Sequence, residues 1–282
     1  MKSVRRLNPV VKRVPVDPIK YYDSVGELML DFMVNRTTQV IVQQSSGVRL
    51  IRSIEGKPIV INSINDLKSL VAQGGLDFMA SVKPIGSSNV DVLVADIKVK
   101  QVMFNTPEGY LTMHIASNAV RLGFEAMGIS SVLMYFDGMN GFKVFARLHQ
   151  QSAIELKNAS RLLRIIIDAA ERAMKRFSRF SELMSNVTLG VNTLSKVKAF
   201  RVPLSIHWST KLSAIPIPHF CVKNFSLMDA EPIKTMSNPT VYSFMRNLKP
   251  NSMDLTQLLA DEDYVLTYRI KAHILSGIRL EC

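Results

Sequence analysis

An α+β domain with mainly antiparallel sheets flanked by helices is the fold class the sequence predicts, and three observations carry it. First, 47% of the 282 residues are apolar and 21% charged. That is the balance of a chain burying a sizeable core, and it excludes disordered, collagen-like and low-complexity classes. Second, short β-branched runs follow one another across tight turns, the pattern of antiparallel pairing. Third, two long stretches read as helices, 107–127 and 154–185, the second with apolar residues at helical spacing. There is no internal repeat and no linker rich in Gly, Ser or Pro. Residues 1–18 are therefore read as a basic N-terminal arm and 19–282 as one domain.

The arm carries five Lys/Arg and two prolines in its first fifteen residues. Ser24 with Glu27 three residues on is a capping box, which predicts a helix to about Val34. Runs at 38–43, 47–54 and 58–61, split by Ser45-Ser46-Gly47 and Glu55-Gly56-Lys57, predict a three-stranded meander. Ser63 to Asp66 caps a short helix that ends at Gly74-Gly75. Strands follow at 76–82 and 90–99, the second apolar enough for a central position. Pro107 opens a helix that Gly128 stops. Strands 130–136 and 142–148 flank the turn Asp137-Gly138-Met139-Asn140-Gly141. Helix 154–185 comes next, then short strands at 197–203 and 212–218. The last seventy residues show only apolar segments near 255–260 and 264–278.

Lys plus Arg number 35 against 23 Asp plus Glu, a net charge of +12 and a pI near 9.8. Charge of this sign points to polyanions: DNA or RNA, nucleotides, or anionic lipid. The two cysteines, Cys221 and Cys282, form neither a disulfide framework nor a four-cysteine zinc site, and imply a reducing compartment. His114, His149, His219 and His273 show no metal-ligand spacing. No signal peptide or bilayer-spanning run is present, so the expectation is a cytoplasmic protein without membrane partners.

Four segments carry the candidate chemistry. They are Leu93-Val94-Ala95-Asp96-Ile97-Lys98-Val99, Tyr135 to Val144, Asn186-Val187-Thr188, and Phe200-Arg201-Val202-Pro203-Leu204-Ser205-Ile206-His207-Trp208-Ser209-Thr210-Lys211. Their order and spacing resemble the archaeo-eukaryotic primase superfamily, both the archaeal primase small subunit and the polymerase domain of bacterial end-joining ligases. In that family the first strand carries Asp-x-Asp and the second reads roughly Ser-Gly-x-x-Gly-x-His. A third Asp precedes an Arg-x-Pro-x-Ser-x-His-x-x-Thr stretch. Arg201, Pro203, Ser205, His207 and Lys211 match, as do Gly138 and Gly141, and Lys223 to Ala230 is similar to the segment that follows. The likeness covers about residues 20 to 235. It implies a primase-type catalytic core and, where the motifs are complete, nucleotidyl transfer with Mg²⁺ or Mn²⁺.

The motifs are not complete. The second family Asp falls on Lys98, the motif histidine on Lys143, and the third Asp on or near Ser195. Only Asp96 remains in place. The matched positions thus sum to about +1 instead of −3, the wrong sign for divalent cations. Asp96 is either an ion-pair partner of a nearby lysine or a remnant metal ligand. By resemblance, Arg201, Ser205, His207 and Lys211 are the nucleotide or phosphate contacts. Trp208 either stacks on a base or packs.

On the 154–185 helix, Arg161, Arg164, Arg172, Lys175, Arg176 and Arg179 lie opposite the apolar stripe. They form either a solvated face or a track for a nucleic-acid backbone. The expectation is a degenerate primase small-subunit homologue that needs no cofactor and binds nucleic acid or nucleotide. Its partners would include a primase large subunit or another replication protein. The rival is an active nucleotidyltransferase using relocated carboxylates, Asp91, Asp96 and Asp137.

Overall fold

Helix α1 spans Pro18–Met33 in the computed structural model, which describes residues 16–100, 103, 106–176, 185–190, 199–218 and 225–278. The helix starts six residues before the expected Ser24 box. Asp17 at the N-cap accepts from Ile19 N at 2.9 Å, and Pro18 sits at the first helical position. An aspartate cap followed by proline outcompetes the later Ser-x-x-Glu. Ser24 instead contacts the Tyr242 hydroxyl at 3.0 Å.

Strands β1 (Thr38–Gln44) and β2 (Gly47–Ile51) form the expected hairpin. The third run does not continue it. β3 (Ser53–Ile54) and β4 (Lys57–Pro58) make a separate small ribbon. The neighbour of β1 on its other side is β5 (Gly75–Ser81), reached through α2 (Ile64–Ala72) and its Ser63/Asp66 capping box. With β12 (Ala199–Arg201) the first sheet runs β12-β5-β1-β2, antiparallel throughout.

The second sheet runs β11-β7-β9-β8 and is also antiparallel. Its strands are β7 (Val92–Val99), β8 (Val132–Phe136), β9 (Gly141–Arg147) and β11 (Val187–Gly190). β6 (Asn89–Val90) and β10 (Ile154–Glu155) pair beside it. Its apolar strands are covered by α3 (Pro107–Ala126) and α4 (Leu156–Met174). The expected reach of this helix to Ser185 gives way to a turn at 175–176, and 177–184 lie outside the described residues.

Among the described residues, the poorly legible C-terminal part holds a 3-10 turn at Leu227–Ala230 and four α-helices: α5 (Pro232–Ser237), α6 (Pro239–Asn247), α7 (Thr256–Ala260) and α8 (Asp263–Gly277). α8 packs on α3 and α4 around Gly123. A Cβ there would meet Ile166 at 2.7 Å and Ile270 at 3.5 Å, so the glycine sets the approach of the three helices. The buried apolar side chains of sheets and helices form one cluster.

Candidate functional site

The register of the second sheet decides what faces the cleft. Gly190, Asp96, Lys143 and Tyr135 lie opposite one another on β11, β7, β9 and β8. Directly opposed residues share a sheet face. One row along, Lys98 lies opposite Gly141 and Thr188. Asp96, Lys98 and Lys143 therefore occupy one face, two residues on one strand and the third across from it. The face looks toward β12. Tyr135 donates to Arg201 O at 2.8 Å, and the Phe145 and Phe200 rings lie 5.1 Å apart.

Asp96 and Lys143 form a buried ion pair between Asp96 Oδ1 and Lys143 Nζ, with the two side chains 7% and 10% exposed. Lys98 is exposed. Asp137 is turned into the β8–β9 turn. Its Oδ1 accepts from Met139 N at 2.8 Å and from Asn140 N and Gly141 N at 3.1 Å each. Asp91, the third carboxylate of the rival reading, is paired with buried Arg36 at 2.5 Å, and Arg36 also donates to Ser81 O.

The residue that sequence reasoning missed is Asp77 on β5. It is fully buried and receives Arg201 Nε at 2.8 Å and a second guanidinium nitrogen at 3.0 Å. The third nitrogen donates to Asp137 O at 2.8 Å. A lone aspartate in an apolar strand was a signal as visible at Asp77 as at Asp96. Burial alone would lower the Arg201 pKa, but the Asp77 and Asp137 charges more than offset this and hold it above its usual value. Arg201 is thus a clamp between the sheets, with its guanidinium committed to internal partners.

Ser205 is equally internal. It is fully buried, and its Oγ accepts from Phe78 N at 2.7 Å. Arg201, its side chain 14% exposed, and Ser205, expected as phosphate contacts, are thus both engaged by internal partners. His207 is nearly buried, and its Nδ1 faces Ser209 N and Thr210 N, both at 3.3 Å. Two donors aimed at Nδ1 fix the neutral tautomer with its proton on Nε2. Burial, and secondarily the Arg201 charge, pull the His207 pKa down from 6.5 to about 4. His207 is an uncharged N–H donor at neutral pH. Trp208 stacks beside it, 38% exposed, with ring centroids 6.1 Å apart. Lys211 is exposed and donates to Gln43 Oε1.

Among the described cleft residues, Asp77, Asp96 and Asp137 stand against Lys98, Lys143 and Arg201. The matched positions Asp96, Lys98 and Lys143 keep their +1 sum, and Asp77, Asp137 and Arg201, which lie outside that set, bring these six groups to three carboxylates and three cations. Ser195 lies outside the described residues, as do residues 1–15, Arg179, His219, Cys221, Lys223, Asn224 and Cys282.

The basic face of α4 is less uniform than its sequence. Arg161 turns to the C-terminal helices, pairing with Asp263 at 2.6 Å and donating to Leu259 O and Asp261 O. Arg172 pairs with Asp168 at 2.9 Å. Arg164, Lys175 and Arg176 are exposed. Arg161 is therefore a structural anchor, and among the described residues of the expected track Arg164, Lys175 and Arg176 are exposed beside Arg172, which is shared with Asp168. No helix among the described residues is long and apolar enough to cross a membrane.

No protein-family model matches the chain. No curated protein is significantly similar to it. Among solved structures, the chain is similar to the polymerase domain of Mycobacterium tuberculosis ligase D in complex with DNA. The TM-score is 0.59 at 15% identity, over 83% of this chain and 92% of that one. At that identity the likeness is one of fold. The mixed helices and antiparallel sheets are those of a primase-type α+β core, the class the motif order implies.

Proposed function

We propose that this protein binds nucleic acid or nucleotide on a primase–polymerase fold and does not carry out metal-dependent strand synthesis. The observation that carries this reading is the buried Asp96–Lys143 pair. The family chemistry implied by the resemblance needs two or three carboxylates turned toward two divalent cations. Here the ammonium of Lys143 takes one oxygen of Asp96, and Lys98 stands two residues along the same face. Asp137 satisfies turn amides, Asp77 is held by Arg201, and Asp91 is held by Arg36. The described residues do not fit two cations. The relocated-carboxylate reading loses its members to these same partners.

Binding is supported by the net charge of +12 and by exposed groups around the cleft. These are Lys98 and Trp208, the latter offering a face for base stacking. The DNA in the similar structure belongs to that protein and makes the same ligand class a reasonable one to test here.

The decisive experiment is primer extension and initiation with Mg²⁺, Mn²⁺ or Zn²⁺, beside oligonucleotide binding with and without chelator. No product and chelator-insensitive binding are expected. Metal-dependent synthesis that disappears in Asp96→Ala would overturn the reading. The converse variant, Lys98→Asp with Lys143→His and Ser195→Asp, is expected to acquire Mn²⁺ binding, read by the loss of the free Mn²⁺ resonance signal.

A further inference from the structure

A cavity of about 720 Å³ opens beside the Arg201–Lys211 segment. Ile206 and Lys211 line it, whereas His207 between them turns to the Gly138 turn, its Cβ 3.0 Å from where a side chain on Gly138 would begin. One stretch of chain thus faces the cleft with His207 and the cavity with its neighbours. The size is that of a small-molecule site. The walls are mostly apolar, with Val71, Leu76, Ile206 and Ile233 among them. One wall is bare backbone. A Cβ on Gly74 would lie 2.4 Å from Gln43 O, and one on Gly75 would lie 2.7 Å from Leu70 O.

The polar groups are few. Gln43 and Gln44 offer amides, Glu231 a carboxylate, and Lys211 is the cation among the lining residues. Lys211 is held there against its backbone preference. Its φ is +60°, the left-handed region that a residue with a Cβ enters at a cost. Its Nζ reaches Gln43, 168 positions away in sequence. Partial burial lowers its pKa from the usual lysine value. A strained residue aimed at a cavity is a pattern expected of binding sites.

We propose that this cavity binds a small molecule with a planar apolar body and one anionic group, about the size of a nucleoside monophosphate. Lys211 holds the anion, the apolar walls enclose the ring, and the Gln43 and Gln44 amides meet its polar edge. Because Ile206 and Lys211 share a segment with His207 and Trp208, occupancy is felt at the cleft. The inference rests on the cavity and not on nucleic-acid binding, which the same samples report separately through oligonucleotide titration.

The test follows Trp208, the single tryptophan, by fluorescence in the full chain, with AMP, adenosine and inorganic phosphate as probes. AMP should give a saturable change below about 1 mM and raise Tm, adenosine should bind about tenfold more weakly, and phosphate alone should give no saturable change in that range. Lys211→Gly should raise the ligand-free Tm by about 2 °C, because strain is relieved, yet weaken AMP about tenfold. Ile233→Glu, at an exposed rim position, should weaken AMP without lowering Tm. The proposal is overturned if AMP gives no saturable response, or if either variant binds it like the parent, which would place AMP at the cleft and not in the cavity. It is also overturned if binding appears only after proteolytic removal of the residues before Val16, which would assign the cavity to the chain's own N-terminal residues.

Discussion

Lys143 is tolerable in the core because it faces the Asp96 carboxylate. Removing one partner of a buried pair leaves an uncompensated charge in a low-dielectric setting, at about 3–5 kcal/mol. Lys143→Met should lower unfolding stability by that amount in urea titrations, and adding Asp96→Leu should recover most of it. If the single variant is as stable as the parent, the pair is not as dry as its exposure indicates. His207 gives a pH signature. Its pKa is about 4 in the folded chain and near 6.5 unfolded, so the unfolded state binds more protons between those values. The stabilising contribution is complete above about pH 6.5 and is lost as pH falls toward 4. It amounts to on the order of 2 kcal/mol after allowing for partial hydration of the ring. His207→Asn keeps a turn acceptor and removes the titration. Its stability should lose this acid-side slope, measured by denaturant midpoints between pH 4 and 7.

At the scale of elements, α4 separates anchoring from exposed charge. Arg161 joins it to α7 and α8 through an ion pair and two carbonyls. Arg161→Ala should cost about 1–3 kcal/mol and loosen the C-terminal helices, seen as faster hydrogen exchange in α8. Reversal of Arg164, Lys175 and Arg176 to Glu should leave Tm within about 2 °C, since all three are exposed. If α4 is a nucleic-acid track, those changes reduce affinity for single strands and lower the salt slope by about 0.7 per lost phosphate contact. An unchanged slope would leave the face as solvated charge.

For the molecule as a whole, the 199–218 segment is the joint between the sheets. β12 pairs with β5 in the first sheet, while Ile215 and Ile217 bond to β8 in the second. Tyr21 donates to Leu204 O at 2.7 Å and Tyr22 receives Ile206 N at 2.9 Å, so α1 fixes the middle of the segment. Arg201, held by Asp77 within the first sheet and donating to Asp137 O at the end of β8 in the second, therefore ties the two sheets together. Arg201→Lys keeps the charge but loses the bidentate geometry. It should lower Tm and also alter oligonucleotide affinity, checked by parallel melting and binding curves. Equal binding by a destabilised variant would place the ligand away from the cleft.

Much of the architecture was legible from local chemistry. The α+β class, the β1–β2 hairpin, the Ser63 cap, Pro107 as a helix start and the 137–141 turn all rest on signals within a few residues. The same holds for the shared face of Asp96 and Lys98, which follows from strand alternation. The pairing of Asp96 with a nearby lysine was one of the two readings the sequence offered, and Lys143 is the partner. What was not legible depends on contacts between residues far apart in the chain. Asp77 meets Arg201 across 124 positions, and Arg161 meets Asp263 across 102. A sequence lists a carboxylate and a cation without saying whether they neutralise each other, because Coulomb energy depends on distance and burial, neither of which is local. Residue types therefore determined which charges the chain owns, and only tertiary packing decided which of them remain for a ligand.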